Sequence, residues 1–169
     1  MIHHVTGDIL LSKAQAIAHG VGPDDHFTQG LALGLREQWP SLSKDFRHWC
    51  HQANPKAGAV WMWGGVGNHR VFCLLTQDPS KNPAHPGRAT IENVNHCLRE
   101  LHQRIEQEKI TSLALPRLAT GVGGLAWDEV LTQVQHHLGK LKIPVFVYST
   151  YQKGVAAKEP GLSATQQAH

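Results

Sequence analysis

Residues 113–130, LALPRLATGVGGLAWDEV, restrict the fold more than any other part of the chain. Leu113, Ala114 and Leu115 form a short apolar run that fits a strand buried on both faces, and Pro116 ends it by withdrawing an N–H. Gly121, Gly123 and Gly124 follow, and without a Cβ that backbone can reach positive φ and come close to a ligand. A helix opening near Ala126 turns its first N–H groups, which have no intrahelical acceptor, toward the same space. Strand, glycine loop and helix in that order suit a phosphate. The same pattern also serves as a plain strand-to-helix turn whose glycines answer only to local geometry.

The rest of the chain alternates in the same way. Residues 1–5 and 14–19 read as strands, and between the second of them and the next helix lies the loop 20–30, which crowds Asp24, Asp25, His26, Thr28, Gln29 and three glycines. A loop of that length is either functional or a solvated turn. Leu31, Leu35 and Trp39 are four apart and predict a helix over 31–39, and Ser41 caps a second through about Gln52. Residues 59–64 and 69–77 form a hairpin across Gly65-Val66-Gly67-Asn68. The proline-rich stretch 78–88 is an irregular loop in which Lys81, His85 and Arg88 either reach a ligand or face water. Ile91, Val94, Leu98, Leu101 and Ile105 mark an amphipathic helix over 90–108. Residues 126–138 form the last helix, closed by Gly139, and 144–149 the last strand. The order β, β, α, α, β, β, α, β, α, β predicts a three-layer α/β/α sandwich around a central mixed, mostly parallel sheet, with ligands beyond the carboxyl ends of its strands. That rule gathers the loop 20–30, Thr76, the loop 119–125 and the residues after Tyr148 at one crevice. From Gln152 onward large apolar residues are scarce, so one domain is expected over 1–151 and a disordered tail over 152–169.

Composition excludes several classes. A chain of 169 residues buries a core without staples, and its three cysteines, odd in number and widely spaced, read as reduced thiols of a cytoplasmic protein. No apolar run suffices for a membrane span. A net charge of +3 with no Lys/Arg run argues against a basic nucleic-acid patch and against sequence-specific nucleic-acid binding, but admits a small anion. The thirteen histidines lack the i, i+4 spacing of a metal site, so neither metal nor cofactor is expected. No GxGxxG follows a strand, which removes a dinucleotide-dependent oxidoreductase.

Together GDI at residues 7–9, AIAHGV at 16–21, Gly30-Leu31-Ala32 opening a helix, LPRLATGVGGLAW at 115–127 and IPVFVYS at 143–149 resemble the macrodomains over about residues 1–151. The nearest subgroup includes terminal ADP-ribose protein glycohydrolase and the macrodomain of the ALC remodeller. The resemblance implies ADP-ribose binding. Asp8 would accept from the adenine amino group with Ile9 beside it. Thr28, Gln29, Gly30 and Leu31 would border the diphosphate and distal ribose. Thr76 would sit at its strand's end in the same crevice, and the loop from Ala119 through Thr120, Gly121, Val122 and Gly123 would cradle the diphosphate by backbone N–H groups. Tyr148 or Tyr151 would cover the adenine. The subgroup's glycohydrolase uses a lysine where this chain has Gln77 and Asp78, and an aspartate where it has Gly123, so that mechanism does not carry over.

Two functions follow from the resemblance. One is a module that binds free or macromolecule-linked terminal ADP-ribose. The other is a hydrolase removing ADP-ribose from protein or nucleic acid, or a phosphatase of ADP-ribose 1″-phosphate. For either enzyme Asp25 and His26 are the catalytic candidates, with Asp24 and Lys81 as further possibilities.

Overall fold

Alternation along the strands decides what lies on each face of the sheet. The computed structural model describes residues 1–81 and 87–162. Its elements run β1 (Ile2–Gly7), β2 (Ala16–Val21), α1 (Gly30–Gln38), α2 (Pro40–Ala53), β3 (Val60–Gly64), β4 (Arg70–Leu75), α3 (Ile91–Gln107), β5 (Leu113–Pro116), α4 (Trp127–Leu138) and β6 (Val145–Tyr151). The strands form one sheet in the order β1-β6-β5-β2-β4-β3, parallel throughout except for the β3–β4 hairpin. In β4, Phe72 and Leu74 join a core with Val94, Leu98, Leu101, Val130 and Val134 of α3 and α4. Val71, Cys73 and Leu75 face the other way, against Leu35, Leu42 and Phe46 of α1 and α2. The sheet is therefore covered on both sides, and the fold is the three-layer α/β/α sandwich that the sequence predicts.

Local chemistry sets the helix ends. Thr90 caps α3, its hydroxyl accepting from Asn93 N at 3.1 Å. The expected cap of α2 at Ser41 is corrected: the helix begins two residues earlier, with Pro40 in the first turn, where its missing N–H leaves no bond unmade, and Trp39 as cap. A 3₁₀ turn over Ile9–Leu11, capped by the Asp8 carboxylate, follows β1.

The expected disordered tail also needs correction over residues 152–162. Asp8 N donates to Val155 O, Gln152 N to Gly7 O and Gly154 N to Asp8 Oδ2. Glu159 and Leu162 are buried. Few large apolar residues are needed to hold this strap, because backbone pairing and one carboxylate do the anchoring. Residues 163–169 lie outside the described residues, as does His85. Among the described residues no helix is long and apolar enough to cross a membrane.

Candidate functional site

Because β5, β2 and β4 are neighbours and parallel, the segments leaving their carboxyl ends meet above the middle of the sheet. The first is the loop 22–29. Its anchor is Phe27, fully buried at the unusual φ of 56°, with its ring 5.4 Å from both His19 and Phe46. Asp25 holds this shape by accepting from Phe27 N through Oδ1 at 2.7 Å. That bond gives Asp25 a structural task, while His26 is exposed and its carbonyl accepts from Arg36 Nη1 at 3.3 Å. Thr28, Gln29 and Gly30 are exposed, and Gln29 precedes α1 without a side-chain cap. The first N–H groups of that helix therefore remain available to a ligand.

The second segment is the glycine loop after β5. Thr120 Oγ1 donates to Arg117 O at 2.8 Å, Leu125 N to Ala119 O and Gly124 N to Gly121 O, so the loop folds on its own carbonyls. Ala119 takes a left-handed φ of 64°. The N–H groups of Thr120, Gly121, Val122 and Gly123 find no acceptor among the described residues, and α4 behind them also lacks a side-chain cap. Successive N–H groups without acceptors at a helix start form an anion cradle. Gly121 and Gly123 differ in kind. A Cβ on Gly121 would meet no protein atom within 4 Å, whereas one on Gly123 would stand 2.6 Å from Ala119 O and 2.8 Å from Ala89 Cβ. The position of the subgroup's aspartate is thus closed to any side chain in this backbone.

The floor comes from the end of β4. Thr76 is fully buried, and its Oγ1 has no hydrogen-bond partner among the described residues. It sits against Gly20, where a Cβ would stand 2.7 Å from that oxygen. Gln77 is buried next to Gly22, with no hydrogen bond to its side-chain amide among the described residues. Asp78 Oδ1 accepts from Asn93 Nδ2 at 3.0 Å, and Lys81 is exposed.

At the far rim, Asp8 and Ile9 are buried, and the Asp8 carboxylate accepts from Leu10 N and Gly154 N, each at 3.0 Å. Tyr148 does not line the crevice. Its ring shares the α1/α2 side of the sheet with Phe146, and its hydroxyl donates to Glu159 Oε2 at 2.8 Å. Burial pushes this phenol above its ordinary range. Tyr151, 62% exposed at the end of β6, is the aromatic ring free to cover a ligand there. The parallel order of β5, β2 and β4 thus carries the segment with Thr28, Gln29, Gly30 and Leu31, the Thr76 end of β4 and residues 119–123 to the same edge of the sheet, with Asp8 and Ile9 after the end of β1, while Tyr148 turns its hydroxyl to Glu159. Sequence reasoning overlooked the strap, whose only signal was a glutamate and a leucine in a polar tail.

A six-stranded mixed sheet between two helical layers, with free N–H groups beyond β5, defines a three-layer α/β/α class suited to an anion at the carboxyl ends of its strands. The Macro domain family model matches residues 29–134, and the chain belongs to that family. It is 29% identical over 152 residues to a DNA ADP-ribosyl glycohydrolase of Thermus aquaticus, covering 88% of this chain and 41% of that protein. It is 22% identical over 149 residues to the human ADP-ribose glycohydrolase OARD1, covering 88% and 91%. Among solved structures it is similar to the macrodomain of Thermus aquaticus DarG, with a TM-score of 0.78 and 25% identity over 88% of this chain and 98% of that one. The chain spans about two-fifths of the Thermus relative's length.

Proposed function

We propose that this chain binds ADP-ribose, free or as the terminal group of a modified macromolecule, in the crevice above β5, β2 and β4. The observation that carries this reading is the run of four N–H groups, Thr120 to Gly123, without an acceptor among the described residues. A diphosphate satisfies them and draws on both uncapped helix starts. Gly121 fits this role because only a ligand competes for the space beside it. Asp8, a carboxylate that cannot donate, keeps lone pairs for the adenine amino group beyond the two bonds it already accepts. Three free, buried cysteines suit a reducing compartment, and we assign the protein to the cytoplasm.

A second reading, hydrolysis of an ADP-ribosyl link to DNA or protein, is supported by the activity named for the Thermus relative. With Gln77 in place of the lysine and Gly123 in place of the aspartate, such a reaction would need a water oriented by the ligand or by His26, since Asp25 is bound to Phe27 N.

Calorimetry with ADP-ribose, run beside AMP, tests the first reading. Binding of ADP-ribose well above that of AMP, lost in Gly121→Val, supports it, and equal binding of the two ligands refutes the diphosphate cradle. Release of ADP-ribose from a modified oligonucleotide tests the second. Turnover that survives His26→Ala would remove that residue from the chemistry.

A further inference from the structure

Two helices that carry no basic run in sequence bring their cations together in three dimensions. A concavity of about 480 Å³ opens beside the first loop and is lined by His26 and Thr28 of that loop, Arg36 of α1, and Lys44, Arg47 and His51 of α2. On α2 these residues occupy the side away from Leu42, Phe46 and Trp49, which pack on the sheet. Among the described residues none of the three cations has a carboxylate within ion-pair distance, for the only such pair is His102–Glu106. Of the nearby acids, Asp45 Oδ2 accepts from Trp63 Nε1 and Asp25 Oδ1 accepts from Phe27 N, while Asp24 lies beside Cys50 of α2 without coming within ion-pair distance of Arg47. Arg36 also ties the groove to the crevice, because its Nη1 donates to His26 O.

We infer that this groove holds the phosphodiester backbone of a nucleic-acid strand carrying the ADP-ribosyl group, an inference that rests on the ADP-ribose reading above. Thr28 belongs both to the loop that borders the crevice and to the wall of the groove, so a macromolecule attached at the distal end of the ligand leaves across it. The lining side chains are cationic, hydroxylic or imidazole, with no Leu, Ile, Val, Met, Phe, Tyr or Trp among them. A peptide would need apolar pockets or a strand edge to be recognised, whereas a sugar–phosphate chain needs only cations and donors. Arginine forks match phosphate oxygens in pairs. Contacts of this kind read no sequence, and the modest net charge of +3 conceals them because the cations are local.

The test is fluorescence anisotropy of the whole chain with a labelled oligothymidine strand, alongside ADP-ribose calorimetry on the same samples. Strand binding should weaken with salt with a log–log slope of about −2 for three cations on a single strand. Lys44→Glu with Arg47→Glu should lower strand affinity about tenfold or more while ADP-ribose affinity stays within about twofold. The charge-matched control, Lys140→Glu with Lys142→Glu at the other end of the parallel strands, should leave strand binding unchanged. Equal losses in the two variants would reduce the effect to net charge and overturn the inference, as would competition by polyglutamate as strong as that by the unlabelled strand. A chain that binds ADP-ribose but no strand overturns the groove alone. A chain that binds the strand through Lys44 and Arg47 but not ADP-ribose supports the groove and refutes the ADP-ribosyl reading.

Discussion

Tyr148 on β6 donates its phenolic proton to the buried Glu159 carboxylate at 2.8 Å, joining the sheet to a segment that the sequence presents as a tail. The same carboxylate accepts from Ser12 Oγ at 2.6 Å and from Lys13 N at 2.8 Å. Through these bonds the strap is fixed against the loop after β1. A few residues upstream, Gly154 N then reaches the second oxygen of Asp8. The orientation of the rim carboxylate therefore depends on a glutamate that lies outside the crevice.

Glu159→Ala should destabilise the fold by roughly 2–4 kcal/mol, because three donors lose a charged acceptor and two of them, Tyr148 Oη and Lys13 N, are left near the core. Thermal unfolding measures the loss. ADP-ribose affinity should fall as well, through Asp8, and Glu159→Gln should recover part of both. A variant as stable as the parent would mean that the strap is held by Leu162 and backbone pairing alone.

The sequence showed the sandwich well because each of its signals is local. The i, i+3, i+4 repeat of α3, the glycine hairpin between β3 and β4, and the strand–glycine–helix run at 113–130 each predict one element from neighbouring residues. Tyr148 failed for a physical reason. A strand covered on both faces is apolar at every position, so nothing in VFVYS tells which side ring 148 takes. The strap failed because its anchors are 146 positions from their partners in sequence, as in Lys13 N to Glu159. The glycine loop was legible in composition, but the difference between Gly121 and Gly123 required the backbone.

Gly121→Val should abolish ADP-ribose binding, or weaken it by about 2 kcal/mol or more, with little change in melting temperature, since a Cβ there meets no protein atom within 4 Å. Gly123→Asp should behave in the opposite sense. Its Cβ meets Ala119 O and Ala89, so the loop must shift and stability must fall before any catalytic benefit can appear. Calorimetry paired with thermal unfolding separates the two effects. If Gly123→Asp folds as stably as the parent, the closed position inferred for it is wrong.

His19 gives the fold an acid-sensitive element. It lies on β2, fully enclosed, with Nε2 3.2 Å from Cys73 Sγ, and burial lowers its pKa to about 4 from 6.5. Above pH 6.5 both folded and unfolded chains carry a neutral imidazole, and its contribution is intact. Between 6.5 and 4 the unfolded chain takes up the proton and the folded one does not, so stability drops by about 3 kcal/mol across that window. Histidine NMR should show this ring still neutral at pH 5.5, and His19→Gln should flatten the pH dependence of urea unfolding over the same range. A midpoint near 6.5 for this ring would contradict the burial.

Gln77 offers a last separation, because its side chain should matter to the ligand and not to the fold. The residue is 9% exposed at the floor of the crevice beside Gly22, and its side-chain amide makes no hydrogen bond among the described residues. Gln77→Met keeps the length and breaks no bond of the fold, so the stability of the variant should stay within about 1 kcal/mol of the parent. If the amide serves a ligand lying over Thr76 and Gly22, the same change should weaken ADP-ribose binding by about threefold or more. Unchanged stability with lost affinity is what a polar group kept for a ligand produces. Unchanged stability with full affinity would mean that the ligand never reaches the floor, and would move the site outward to the loops alone.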